Sequence, residues 1–474
     1  MIDALDQLLE EAGPLCAQQR GRDRLRSHLF AQLVCLGEHS LSGLLCTTGQ
    51  QFRDWTADYR LYAADRVNPQ PLFNAIRRGI ETRLDAEQPL IVALDDSLAR
   101  KRGRKIPGAG WRRDPLGPPF HINFVWAQRV LQLAAVLPEG SDGATRTVPI
   151  DFAQAPTAVR PRKNAGPEAW ETYRQQQKEM NLNRQALSRL DTLVHQREQE
   201  GQIRPLWVAV DGRFTNKTFL KNIPAGVVVI GRIRGDARLH QPVHSSHPST
   251  SGGRPRAYGN LLPTPEALRQ NEQIPWQSVE AYAAGTRHDF NIKTLDQVRW
   301  RVTGAHRTVR VIVIAPLGYR LHQGGRVLYR KPAYLICTDP SVPVEQALQA
   351  YLCRWGIEVN FRDEKTLMGV GHARVRNPHA VQHVPAVAVA AYAMLLLAAA
   401  RVNGAVSLPL PAWRRVAKPP HATTAALINQ LRYELWADSL RPGLCDFVDT
   451  SPAVQNSQKP LPRLETAALY ALAG

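Results

Sequence analysis

Two short apolar runs, Pro89-Leu-Ile-Val-Ala-Leu94 and Leu206-Trp-Val-Ala-Val210, each stop at aspartate. Asp95 and Asp96 follow the first run and Asp211 follows the second. Compact apolar runs of this length read as buried strands. An acid at the carboxyl end of such a strand is held rigidly, and this is where α/β proteins place ligands. Turn formation and helix capping use strand-end aspartates too, so each site alone leaves both readings open.

The chain has 474 residues, enough for two to four domains and a large core. Its 44% apolar and 21% charged content is that of a globular protein. Sixty Lys and Arg against 41 Asp and Glu leave a net charge of +19. A polyanion is the expected partner, nucleic acid before an acidic membrane surface. The six cysteines, at 16, 35, 46, 337, 353 and 445, form no CxxC pair. That argues against a disulfide scaffold or a cysteine-built zinc site. The N-terminus carries acids where a signal peptide carries basic residues, so a cytoplasmic, nucleoid-associated location is expected. The apolar run Val384–Ala400 is marginal for a membrane span and contains Pro385. It reads as a buried core helix, with no membrane partner expected.

Along the chain, residues 1–85 read as a helical domain, with apolar spacings of three and four over Ile2–Leu9 and Arg24–Leu45. Aromatics among basic residues at Phe52–Trp55 and Tyr59–Tyr62 suit DNA contact or plain packing. Strands are expected at 89–94, 121–128 and 130–137, a helical pair over 167–200, and strands at 206–210 and 225–230. Residues 240–275, rich in His, Ser, Gly and Pro, read as a loop. Strands at 298–302, 308–314 and 325–337 precede one long helix over 342–365. A proline-marked linker (Pro409, Pro411, Pro419, Pro420), a helix over 423–436 and a weakly ordered tail after 450 complete the chain.

In the helix 342–365, Tyr351, Arg354, Glu358 and Lys365 stand at offsets that a 3.6-residue period stacks on one narrow face, with Arg362 beside them. Four polar or charged side chains on one stripe are costly to bury for stability alone. A solvated face with an Arg354–Glu358 ion pair is the plainer reading. Three carboxylates on one cleft suit hard divalent cations, Mg²⁺ or Mn²⁺. Two such ions can activate a nucleophile and stabilise the leaving oxygen of a phosphodiester.

These residues together resemble DDE transposases of the insertion-sequence IS4-like superfamily and are compatible with an IS701-like group. The resemblance rests on Asp96-Ser97, Asp211 and the spacing Tyr-x2-Arg-x3-Glu-x6-Lys, complete in Tyr351, Arg354, Glu358 and Lys365. It runs from about residue 85 to 400. It implies an RNase H-like, retroviral-integrase-like α/β core in two parts, 86–234 and 341–402. A β-rich insertion over 235–340 would separate them, with a helical, DNA-binding domain over 1–85 and a C-terminal segment over 403–474. It implies Asp96, favoured over Asp95, together with Asp211 and Glu358 as catalytic ligands of two Mg²⁺ ions, with Mn²⁺ as substitute. It also implies Arg354 and Lys365 as phosphate ligands, and Tyr351 as the residue positioning the transferred end. The implied activity is cleavage at transposon ends and 3′-OH strand transfer, on double-stranded DNA, by a homodimer. A non-catalytic DNA-binding regulator and a nuclease without strand transfer are the alternatives.

Beside the first strand lies a basic loop with Arg100, Lys101, Arg102, Arg104, Lys105, Arg112 and Arg113. It is expected to contact phosphates, adding affinity and salt dependence more than sequence choice. The resemblance also implies Trp276 and Trp300 as candidate insertion tryptophans for stacking on a flipped base, although core packing is the commoner use of tryptophan. His121, His240, His244, His247 and His372 form no metal set with a nearby acid or cysteine group.

Overall fold

The computed structural model describes residues 1–115, 117–118, 120–139, 143–243, 257–322, 324–402 and 421–440. His244, His247, Cys445, the linker prolines and the tail after 450 lie outside the described residues. In chain order the elements begin with α1 (Ile2–Ala12), α2 (Gln19–Val34), α3 (Leu41–Thr47), α4 (Thr56–Ala63) and α5 (Gln70–Glu81). Then come β1 (Leu90–Arg100), β2 (Gly110–Arg113), β3 (Phe124–Pro138), β4 (Thr145–Gln154), α6 (Pro167–Glu179), α7 (Leu182–Gln199), β5 (Leu206–Val210), α8 (Lys217–Leu220) and β6 (Val227–Arg232). They continue with β7 (Leu239–His240), α9 (Pro265–Gln270), β8 (Gln277–Ala283), β9 (Thr286–Trp300), β10 (Thr308–Ile314), β11 (Gly318–Tyr319), β12 (Leu328–Tyr329) and β13 (Ala333–Cys337). The last helices are α10 (Val344–Cys353), α11 (Gly356–Thr366), α12 (Pro378–Arg401) and α13 (Thr424–Leu440). This is a mixed α/β architecture of sheet and flanking helices, consistent with an RNase H-like fold.

The chain divides into two compact units, and β1 gives its first half to one and its second half to the other. One unit comprises Leu84–Asp95 and Thr157–Ile357. There, Leu90–Leu94 of β1 pair in parallel with Leu206–Val210 of β5, and β5 pairs in parallel with β6. From β6 onward the order is β13, β10, β9, all antiparallel, with β7 and β8 both on β9. Both faces of β5 are fully buried, as an apolar run without alternation requires. Trp207, Ile230, Ile312, Leu335 and Leu348 share one core, which seats α10 against the strands.

The other unit comprises Met1–Arg83, Asp96–Pro156 and Glu358–Gly474. Here β3 lies between β2 and β1, and its later residues, Val130–Pro138, pair antiparallel with β4. Its centre is α12, packed against α1, α2, α4, α5 and β4. This helix is apolar enough to cross a membrane, but 94% of its apolar window is buried in protein. Pro385 stands inside it, where the missing N–H removes one helical hydrogen bond.

Several expectations need correction. The two strands expected at 121–128 and 130–137 are one 15-residue strand, β3, which lies between β2 and β1 in the sheet. Mid-strand, the Gln128 amide donates to the Pro107 carbonyl at 2.6 Å. The long helix 342–365 is two helices, broken at Arg354–Trp355 where the N–H groups of Arg354, Trp355 and Ile357 make i→i+3 bonds. Such bonds wind tighter than an α-helix, so the single-period stacking holds only within each piece. Arg24–Leu45 likewise splits into α2 and α3 at Cys35–Ser40. Residues 240–275 include the helix α9. Strands β4 and β8, and most of β9, were not anticipated.

Candidate active site

Strand pairing sets the first part of the site. Leu94 of β1 stands opposite Val210 of β5, so Asp95 and Asp211 are the next residues along two adjacent parallel strands. Neighbouring strands lie about 4.8 Å apart, close enough for two carboxylates to serve one cleft. Asp95 Oδ2 accepts from Arg354 Nη1 at 3.1 Å. Asp211 Oδ1 accepts the Arg213 backbone N–H at 2.9 Å, which fixes the carboxylate at the strand end. The Arg354 guanidinium lies 5.7 Å from the Tyr351 ring centroid. Burial raises the Tyr351 hydroxyl above its ordinary pKa, while Arg354 and Arg232 pull it down and Asp211 pushes it up. Asp95, Asp211, Tyr351, Arg354 and Arg232 thus make one constellation inside one unit. Arg232 was missed by sequence reading because only the β5–β6 pairing brings the end of β6 beside Asp211.

Asp96 faces elsewhere. Successive residues of a strand point to opposite sides, and β1 is extended through Arg100. Asp95 and Ser97 therefore share a side and Asp96 takes the other. In the unit that holds Asp96, its Oδ2 lies 3.4 Å from Arg129 Nε of β3. In that same unit Lys365 Nζ donates to Ser97 Oγ at 2.6 Å. Partial burial and the nearby Arg100 pull the Lys365 ammonium down, and Glu364 opposes them. Glu358 stands half-buried in the first turn of α11. One residue before Lys365, Glu364 is fully buried, and burial pushes its carboxyl up to about 8. Arg362 is paired with its neighbour Asp363, whose other oxygen accepts from Thr424 at 2.6 Å.

The basic loop is anchored on β3. Trp126 Nε1 donates to the Gly103 carbonyl at 3.0 Å, and Lys101 N to the Trp126 carbonyl at 2.9 Å. Arg102, Arg104, Lys105 and Arg113 are exposed. Arg100 pairs with Asp114 at 2.9 Å. Lys101 Nζ donates to the Gly371 carbonyl at 3.2 Å, and burial pulls its ammonium down to about 8. Burial and the neighbouring Arg129 lower Arg112. Of the two tryptophans, Trp300 is buried, whereas Trp276 is exposed with Lys293 Nζ 4.4 Å over its ring.

The oxygen-only donors of Asp95 and Asp211 fit a hard cation such as Mg²⁺. A separate group, Asp65 with His379 and His383, has its ligand atoms within 4.8 Å of one another and could also hold an ion. Its mixed N,N,O donors suit a softer, zinc-like ion better than Mg²⁺. It shares no residue with the Asp95 and Asp211 constellation. His383 Nε2 sits 2.6 Å from Asp65 Oδ1, and that contact holds the Asp65 carboxyl below its usual range.

A family model described as "DDE superfamily endonuclease" matches residues 14–308, more than half of the chain. The matched residues contain Asp95, Asp96 and Asp211 and end before α10 and α11. No curated protein matches the chain.

Proposed function

This chain belongs to the DDE superfamily endonuclease family, and from that premise we propose that it is a DNA transposase. In this reading it cuts at the ends of a mobile element and joins the freed 3′-OH to target DNA. The observation that carries it is that Asp95, within β1, and Asp211, just past β5, directly follow Leu94 and Val210, which pair on two adjacent parallel strands. Asp95 is also bonded to Arg354 of the Tyr-x2-Arg-x3-Glu-x6-Lys set.

We assign the first carboxylate to Asp95 in place of Asp96, with Asp211 and Glu358 as the second and third. Asp95 lies beside Asp211 and accepts from Arg354 within one unit, whereas Asp96 pairs with Arg129 in the other. Two divalent ions held by these carboxylates, Mg²⁺ with Mn²⁺ as substitute, would supply activation of water or of the 3′-OH and stabilisation of the leaving oxygen. Arg354, Arg232 and Lys365 bind phosphate oxygens of the cut strand, and Tyr351 orients its end. The exposed cations of the 100–113 loop hold flanking duplex DNA. A homodimer brings two ends together.

The test uses labelled duplexes carrying the DNA that flanks the gene, with wild type and Glu358→Gln, in Mg²⁺ and in Mn²⁺. Cutting at the element boundary by wild type alone is the expected result. Binding without cutting by wild type in either metal would sink the enzymatic reading. Transfer of a pre-cut 3′ end separates a transposase from a plain nuclease.

A further inference from the structure

The β2–β3 hairpin exposes apolar surface that its own fold does not require. Trp111 stands opposite Trp126 and Arg113 opposite Phe124. Directly opposed residues share a face, and alternation puts Trp111 and Arg113 on that same face. Trp111 is 58% exposed and Phe124 55%; Ile122 and Phe120, just before β3, are 58% and 90% exposed. A single exposed apolar side chain is ordinary, but several together mark a binding surface. The face is held firmly: Trp111 meets Trp126 edge-on at 5.6 Å, and Trp126 is tied to the basic loop through Gly103.

Charge identifies the occupant. Residues 100–126 carry seven Lys or Arg and a single acid, Asp114, which Arg100 pairs. An apolar partner face would gain nothing from so many cations, whereas a polyanion with flat apolar rings matches both features. We propose that this hairpin face is a stacking platform for unpaired bases of single-stranded DNA. Its aromatics take the bases, and Arg113 with the exposed Arg102, Arg104 and Lys105 take the phosphates. This rests on the DNA-processing reading above and adds to it a site for separated strands. Bases within a duplex are already stacked on one another, so the platform favours single strands.

The test measures anisotropy of full-length protein with three labelled probes: a short oligothymidylate, an abasic oligomer of equal length, and a duplex. Wild type should bind the oligothymidylate better than the abasic oligomer. Trp111→Ala and Phe124→Ala should each weaken oligothymidylate binding about tenfold and leave duplex binding within about threefold. Trp111→Phe should keep most of the affinity, which separates a lost ring from a disturbed fold. Arg113→Ala should lower affinity for all three probes and reduce the salt slope by about 1. Unchanged oligothymidylate binding by both alanine variants, or equal wild-type affinity for the abasic oligomer, would overturn the platform alone. Failure of wild type to bind any probe would overturn the DNA reading together with it.

Discussion

Adjacent residues of an extended strand serve opposite faces, and Asp95 and Asp96 are divided in this way by β1. The sequence shows two equivalent acids; the partner of each appears only in the fold, Arg354 just past α10 for Asp95 and Arg129 of β3 for Asp96. Asp95→Asn should therefore abolish metal-dependent cleavage. Asp96→Asn should retain it while losing about 1–3 kcal/mol of stability, because Arg129 is left without its carboxylate. Denaturant unfolding beside the cleavage assay checks both. Glu364 gives a second prediction. Its carboxyl is raised to about 8 from 4.5, so the folded chain keeps a proton that the unfolded chain releases. Stability from this group is fully present below about pH 4.5 and falls as pH rises toward 8. Glu364→Gln should flatten that slope, raising Tm more at pH 8 than at pH 5 relative to wild type.

At the scale of elements, the positions most readable in sequence are those where one physical demand dominates. The strand β5 and the apolar stretch of α12 are buried on all sides, so their composition alone marks them. The middle of β3 is not marked in this way. Gln128, Arg129 and Gln132 interrupt its apolar pattern, and each has a role supplied by distant chain or by burial: Pro107 for Gln128, Asp96 for Arg129, and a fully buried place for Gln132. The break between α10 and α11 has its local signal in Gly356, which the charge stripe overshadowed. Gly231 shows how tightly the site strands are packed. It stands opposite Val210, and an added Cβ would lie 2.5 Å from Thr215 Cγ2 and 2.7 Å from Val210 Cγ2. Gly231→Ala should cost about 1–3 kcal/mol by overpacking and should depress cleavage by shifting Asp211, the residue after Val210. Thermal melts and single-turnover cleavage would measure the two effects.

For the whole molecule, the net charge of +19 makes a polyanion the expected partner, and the proposed DNA binding carries a salt dependence set by the phosphates contacted. Contact with six or more phosphates should weaken DNA affinity by about 10³-fold or more between about 50 and about 200 mM salt. Anisotropy titrations at the two ionic strengths check this, and a flat response would mean that the charge serves something other than DNA. The division of the chain has a consequence for synthesis. The unit holding Asp211 is complete once residue 357 has been made, whereas the other needs its last segment, from Glu358 onward. Helices α1, α2, α4 and α5 have their apolar faces built for α12, which arrives some three hundred residues later. At about 5–20 residues per second, the first-made helices wait on the order of tens of seconds for their partner. A chain cut short before α12 leaves its amino-terminal helices without the partner they pack against, exposing apolar surface of the kind that chaperones cover.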